Sequence, residues 1–198
     1  RLIMQAYGAE IILTPAKRKT DGAIEKAYAL AREYPERYFL ADQFNNPANW
    51  LAHYTTTAPE IWAQTEGRVT DIIVTLGTSG TAMGLSRWFR EHHPEVRVIA
   101  VEPHAGHKIQ GLKNMKESYR PGIFDKTLPH AIVNVADEDA FSAARRLAAE
   151  EGVFAGMSSG AAVSAAIERA RELDSGCIVA ILPDGGERYL STTLFKPQ

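Results

Sequence analysis

The sequence has little of several features that mark specialised classes of protein. Its 198 residues include one cysteine, Cys177, so no disulfide can form within the chain, and a reducing cytoplasm fits this usage. The formal net charge of -2 gives no basic surface for nucleic acid. No apolar run approaches the length that spans a bilayer, and no signal peptide is visible. These absences favour a cytoplasmic globular protein with no nucleic-acid or membrane partner.

The first residues also lack an initiator methionine and a capping residue. Arg1 is followed directly by the apolar residues Leu2, Ile3 and Met4, and Gly8 is typical of a helix C-cap. We therefore expect the sequence to begin inside a helix and to be a fragment of a longer chain.

Runs of branched apolar residues alternate with amphipathic segments along the chain. The runs predict strands at 9–14, 38–40, 71–76, 96–101, 131–135 and 177–182. The amphipathic segments predict helices at 20–31, 50–62, 83–92, 137–151 and 161–173, and we expect an irregular stretch at 103–130. Thr20 or Asp21 is a candidate cap, as is Asp137; Pro59 interrupts one helix and Gly152 closes another. The alternation implies an α/β fold, with a mostly parallel sheet and helices on both faces.

The most specific feature is a turn rich in glycine and hydroxyl groups, Gly77-Thr78-Ser79-Gly80-Thr81, between a predicted strand and helix. Glycines let the backbone approach a ligand closely, and free N–H groups at a helix start favour an anion. The spacing matches neither G-x-G-x-x-G nor a Gly-Lys-Ser/Thr loop. An ordinary strand-to-helix turn is the alternative, but it does not need three hydroxyl groups. The turn therefore predicts an anion site.

Two further polar turns follow later strands. Ser158-Ser159-Gly160 opens a helix, and Asp184-Gly185-Gly186 follows the last strand. Ligands bind beyond the carboxyl ends of the strands in open α/β sheets, so the three turns predict a cleft. Glu102 ends a strand where a ribose-binding acid would lie, which keeps a dinucleotide fold as an alternative to a plain strand-end carboxylate. His104 and His107 have no cysteine or carboxylate cluster beside them, so no metal site is predicted.

Several motifs in order resemble the cysteine synthase family of pyridoxal-phosphate (PLP) enzymes. They are 42–47 (DQFNNP), 53–57 (HYTTT), 59–62 (PEIW), 77–81 (GTSGT), 156–161 (GMSSGA) and 186–192 (GERYLST). The resemblance runs the full length of the chain. It implies a fold-type II PLP enzyme, similar to the tryptophan synthase beta chain, that is usually a homodimer with PLP between two domains. Residues 1–45 would be a remnant of the smaller N-terminal domain, and 46–198 the C-terminal domain that binds the PLP phosphate.

The resemblance also implies roles for individual residues. Gly77, Thr78, Ser79, Gly80 and Thr81 would bind the PLP phosphate, and Gln43 and Gly111 would contact the substrate. Ser158 or Asp184 would face the pyridine nitrogen. The family often has serine before Gly-Glu-Arg-Tyr, where this chain has Asp184-Gly185. We favour Ser158 for this role, with the Asp184 side chain bonding the N–H groups of its own turn.

The implied activity is that of a transferase in cysteine biosynthesis. It would carry out PLP-dependent β-replacement on O-acetylserine, or a related activated serine, with sulfide or thiosulfate. The segments 111–115 (GLKNM) and 119–124 (YRPGIF) are more similar to the B type, which accepts thiosulfate. The family's Schiff-base lysine lies in a Ser-x-Lys motif that this chain lacks, so no catalytic residue is assigned and the isolated fragment is expected to be inactive. The alternatives are an NAD-binding oxidoreductase domain and a non-catalytic homologue acting as a binding module.

Overall fold

The structure, a computed structural model, describes residues 1–116 and 119–195. Contacts between Cα atoms divide the chain into two units. The first is Arg1–Asp42, and the second begins at Gln43.

The first unit contains two helices, α1 (Leu2–Ala6) and α2 (Lys19–Glu33), with a 3-10 turn before α2. The predicted strands at 9–14 and 38–40 are wrong, because both segments are irregular. A strand needs a neighbour that satisfies its N–H and C=O groups, and no described segment pairs with either of these. The predicted caps of α2 are also wrong, since the helix begins before both residues. Gly8 follows α1 with φ +78°, as a C-cap glycine does.

The second unit alternates helices and strands around one sheet. Its elements are α3 (Ala48–Ala52), a π-helical turn (His53–Thr57), α4 (Ala58–Gln64), β1 (Asp71–Thr75), α5 (Gly80–His92), β2 (Arg97–Pro103), β3 (Ala131–Val135), α6 (Asp137–Glu151), α7 (Met157–Arg171), β4 (Ile178–Ala180) and a 3-10 turn (Gly186–Tyr189). Gly152 ends α6 in the left-handed conformation, as predicted. Asp137 is the first residue of α6 rather than its cap, and its carboxylate accepts the backbone N–H of Lys108 at 2.9 Å.

The four strands form a parallel sheet in the order β3-β2-β1-β4. Thr75 at the end of β1 pairs with Val101 of β2, and Ile73 of β1 pairs with Ala180 of β4. The central strand β1 is apolar on both faces because helices cover both sides. The structure thus confirms the predicted α/β fold with a parallel sheet.

Alternate side chains of β1 enter two separate cores. Ile72 packs with Phe89 of α5 on one face, in a core that also includes residues of α4. Ile73 packs with Phe141 of α6 and Ala161 of α7 on the other face. All of these side chains are buried, and each large one contributes about 1.5–3 kcal/mol to stability. The two cores fix the carboxyl ends of the strands, where the polar turns begin.

A buried ion pair ties α7 to the beginning of β1. The Arg169 Nε atom donates to Asp71 Oδ1 at 2.7 Å, and the Asp71 side chain is only 2% exposed. Removing Arg169 would leave the buried Asp71 charge without its counter-ion, whereas Arg169 itself also pairs with Glu172 at 2.9 Å.

The segment predicted as one helix interrupted at Pro59 is three consecutive helical pieces. Pro59 lies in the first turn of α4, where the absence of its N–H is tolerated. Proline has no N–H, and its ring crowds the carbonyl four residues earlier, which is that of Thr55 in the π-helical turn. The helical hydrogen bond between these two positions therefore cannot form. The irregularity therefore falls just before the proline, at His53–Thr57.

Candidate functional site

The glycine turn, Gly77–Thr81, joins the carboxyl end of β1 to the start of α5. Ser79 caps α5 in the left-handed conformation with φ 70°, and its carbonyl accepts the N–H of Met83 at 2.9 Å. The N–H groups in the first turn of α5 lack partners within the helix, and they lie at the positive end of its dipole. This local geometry suits an anion.

A cavity of about 290 Å³ opens at the glycine turn. Its lining includes all five residues of that turn together with Gly111, Ser158 and Asp184. The structure thus brings together the predicted cofactor-binding residues and one of the two predicted substrate-binding residues. Gln43 is not among the lining residues; its backbone carbonyl accepts a hydrogen bond from Asn49 Nδ2 at 2.6 Å.

Two polar atoms of the cavity lining lack protein partners. Ser79 Oγ and Asp184 Oδ1 are buried, and neither has a hydrogen-bond partner among the described residues. Buried polar atoms in folded proteins nearly always have one. Both residues line the cavity, so a polar ligand bound there would supply a partner for each atom.

Ser158 and Asp184 lie on different elements of the cavity wall. Ser158 is buried in the first turn of α7. Asp184 Oδ2 accepts the hydroxyl of Tyr189 at 2.5 Å, and the Asp184 carbonyl accepts the N–H of Gly156 at 3.1 Å. The expectation that the Asp184 carboxylate bonds its own turn is wrong, because Tyr189 holds one oxygen and the other has no protein partner.

Tyr189 remains a hydrogen-bond donor to Asp184 throughout the neutral pH range. Burial raises the pKa of Tyr189 far above its ordinary value, and the hydrogen bond to Asp184 raises that pKa further. The Tyr189 proton thus fixes the orientation of the carboxylate.

Sequence reasoning missed a layer of side chains behind the glycine turn. Asn49 Nδ2 lies 3.0 Å from Thr78 Oγ1, and His53 Nε2 lies 3.1 Å from Thr81 Oγ1. On the far side of the imidazole, Nδ1 lies 3.0 Å from Thr57 Oγ1. Asn49 and His53 are four residues apart and so share one helix face. That spacing, beside the motif at 42–47, is the signal in the sequence that could have found them.

Two glycines of α5 permit this close approach. A Cβ atom on Gly80 would overlap the side-chain amide of Asn49. A Cβ atom on Gly84 would lie 2.7 Å from His53 Cβ and would also overlap the backbone of α3. The glycines thus let the helical segment 48–57 pack directly against the turn.

The loop after β2 supplies the remaining wall. Glu102 Oε2 accepts the backbone N–H of Met115 at 3.1 Å, and Asn114 Nδ2 donates to the Pro103 carbonyl at 2.9 Å. A Cβ atom on Gly77 would lie 2.8 Å from the carbonyl oxygen of Gly111, so the loop passes directly over the turn. Glu102 therefore anchors this loop, which supports its interpretation as a structural carboxylate rather than a ribose ligand.

The described residues offer no cluster of three or more His, Cys, Asp or Glu side chains that could hold a metal ion. None of the helices in the described residues combines the length and the hydropathy that a membrane span requires.

Comparison with known families and proteins gives consistent matches. The family described as "Pyridoxal-phosphate dependent enzyme" matches residues 1–184. The cysteine synthase of Aquifex aeolicus is 47% identical over 98% of this chain and 61% of its own length. The cysteine synthase B of Salmonella typhimurium is 43% identical over 98% of this chain and 64% of its own length. The chain thus spans somewhat over three fifths of these curated relatives.

Solved structures share the fold. The crystal structure of a cysteine synthase from Entamoeba histolytica superposes with a TM-score of 0.90 at 39% identity, covering 100% of this chain and 61% of that one. The crystal structure of an O-ureido-L-serine synthase gives 0.89 at 39% identity, covering 98% of this chain and 64% of that one. These likenesses confirm the predicted fold-type II class, and they do not favour the NAD-binding alternative.

Proposed function

Because the chain belongs to the family of pyridoxal-phosphate dependent enzymes, we propose that the complete protein is a cysteine synthase. It would catalyse β-replacement on O-acetylserine or a related activated serine, with sulfide or thiosulfate as the sulfur donor. The names of the matched relatives support this choice. The carboxyl ends of parallel strands, where the cavity lies, are also where ligands bind in folds of this kind.

The residues present fit PLP. A phosphate monoester suits the glycine turn, where N–H groups at the start of α5 meet the unpartnered hydroxyl of Ser79. The same cavity extends to Ser158 and Asp184, which suit the pyridine end of the cofactor. When bound, PLP supplies an electron sink that stabilises negative charge developing on the substrate.

The chain's own side chains would bind and orient the cofactor. Thr78, Ser79 and Thr81 would donate hydrogen bonds to the phosphate oxygens. Ser158 is our choice for the pyridine nitrogen, since it is buried in the first turn of α7 and lines the cavity. Gln43 and Gly111 would contact the substrate, with Gly111 held over the turn by the anchored loop.

The main support is the convergence of the glycine turn, Ser158 and Asp184 on one cavity with two unpartnered buried polar atoms. The similarity to cysteine synthase B relatives supports thiosulfate as a second donor. We also propose that the complete enzyme is a cytoplasmic homodimer, that 1–45 belongs to its smaller domain and that 46–198 is its phosphate-binding domain. The family resemblance supports the assembly and the domains, and the single cysteine fits a reducing compartment.

The test uses the complete protein, stripped of cofactor and then reloaded with PLP. With O-acetylserine we expect cysteine from sulfide and S-sulfocysteine from thiosulfate, and neither product when NAD replaces PLP. Full PLP binding without turnover of any activated serine would identify a non-catalytic homologue. Failure to bind PLP would contradict the proposal altogether.

A further inference from the structure

Two hydroxyls of the glycine turn each contact a nitrogen atom from the helical segment behind them. Asn49 Nδ2 lies 2.6 Å from the carbonyl oxygen of Gln43 and 3.0 Å from Thr78 Oγ1. A carbonyl oxygen can only accept, so the amide group nearest to it must be the NH₂. The second amide proton then points to Thr78 Oγ1, which accepts it. The hydroxyl proton of Thr78 is therefore left to donate elsewhere.

His53 stands in the same relation to Thr81. Its Nε2 atom lies 3.1 Å from Thr81 Oγ1, and its Nδ1 atom lies 3.0 Å from Thr57 Oγ1. Burial lowers the pKa of His53, so the ring is neutral near pH 7 and carries one proton. If that proton is on Nε2, it is donated to Thr81, and Nδ1 accepts the hydroxyl proton of Thr57. The Thr81 proton is then also free.

We propose that Asn49, His53 and Thr57 are positioning residues that turn the hydroxyl protons of Thr78 and Thr81 into the cavity. Both hydroxyls would then donate to the same phosphate monoester. This inference rests on the proposed function, because the anion it serves is the phosphate of PLP. Asn49 and His53 act from one face of the segment 48–57, and the π-helical turn ends at Thr57.

Thr57 tests the chain of hydrogen bonds most sharply, since it is the member farthest from the cavity. Thr57→Val keeps the shape of the side chain and removes the donor to Nδ1. Nδ1 then has no hydrogen-bond partner among the described residues, so the ring is no longer held in the orientation and tautomer that donate to Thr81. The Thr81 proton is therefore no longer held toward the phosphate, although no group touching the ligand has been changed.

The experiment measures binding of pyridoxine 5′-phosphate, which has no aldehyde and cannot bond covalently to a lysine. The complete protein, freed of cofactor, is titrated by calorimetry. Thr57→Val should bind roughly tenfold more weakly, since one hydrogen bond to a charged oxygen is lost. Thr57→Ser should bind as the wild type does. Thr56→Val is the matched control, because Thr56 is exposed on the same turn and bonds only the Ala52 carbonyl among the described residues, at 2.8 Å. It should leave the affinity unchanged.

Nitrogen NMR of His53 gives a readout that a general loss of packing would not produce. The wild-type complex should show the proton fixed on Nε2, and the Thr57→Val complex should show a mixture of the two tautomers. Equal affinity and the same tautomer in both proteins would overturn the inference. The proposed function has a separate control in pyridoxine, which lacks the phosphate. If the wild type binds the phosphate ester far more tightly than pyridoxine while Thr57→Val does not weaken binding of the ester, the positioning chain is wrong and the phosphate site stands. If the wild type binds both compounds equally, both are wrong.

Discussion

Replacing Ser79 by glycine should raise the stability of the cofactor-free protein while lowering its affinity for PLP. Ser79 is a non-glycine residue at φ 70°, which costs about 1–2 kcal/mol relative to glycine. Its Oγ atom has no protein partner, but a hydroxyl that reaches the ligand cavity also reaches water in the cofactor-free protein, so it adds no further cost. Glycine gives the unfolded chain more freedom, which offsets about 0.5–1 kcal/mol. The net gain is up to about 1.5 kcal/mol, which raises Tm by a few degrees.

The sign reverses once phosphate is bound, because the same hydroxyl then donates to a charged oxygen. Losing that bond costs about 1.5–3 kcal/mol, which weakens PLP binding about 10- to 100-fold. Thermal unfolding of the complete protein without PLP, and PLP titration, measure the two effects. Ser79→Ala is the control: it keeps the strained backbone, so it should lose affinity equally and gain less stability. A Ser79→Gly protein that melts no higher than wild type, or binds PLP equally well, would refute the reasoning.

Three other predictions follow from single contacts. Arg169→Ala should destabilise the protein by about 3 kcal/mol in urea unfolding, because the buried Asp71 carboxylate loses its counter-ion. The control is Arg171→Ala, whose ion pair is exposed and which should cost less than about 1 kcal/mol. The pKa of Tyr189 is higher in the folded state than in the unfolded state, so the protonated side chain contributes to folding stability. This contribution is present below about pH 10 and is lost as the pH rises further. Unfolding of wild type and Tyr189→Phe across that range checks it; a constant difference in stability would contradict it. Ser158→Ala should change the visible spectrum of the PLP-loaded enzyme and Asp184→Asn should leave it nearly unchanged, and the opposite pattern would assign the pyridine nitrogen to Asp184.

Local sequence patterns predicted the second unit better than the first. The strand β3 was predicted with its observed bounds, and β1 within one residue, because branched apolar runs flanked by helices form buried parallel strands. The runs at 9–14 and 38–40 are also largely apolar, but no described strand pairs with them. Strand propensity depends on a neighbour, which a local pattern does not reveal.

The site was predictable where a motif forms it and unpredictable where distant side chains do. The glycine turn was evident because hydroxyl groups and glycines are adjacent in sequence. Asn49 contacts Thr78, which is 29 residues later in the chain, and His53 contacts Thr81, which is 28 residues later. The π-helical turn at 53–57 was missed because only Pro59 was visible as a break, and its effect falls on the preceding turn.

The most direct test of the central claim is whether the glycine turn binds the cofactor's phosphate. Glycine-selective ¹⁵N labelling of the complete protein allows the amides of Gly77 and Gly80 to be followed as pyridoxine 5′-phosphate is added. We predict large downfield shifts of both amides at saturation, because hydrogen bonds to a phosphate oxygen deshield N–H protons, and no such shifts with pyridoxine, which lacks the phosphate. Saturation with the phosphate ester while Gly77 and Gly80 stay unmoved, or equal shifts with pyridoxine, would contradict the assignment.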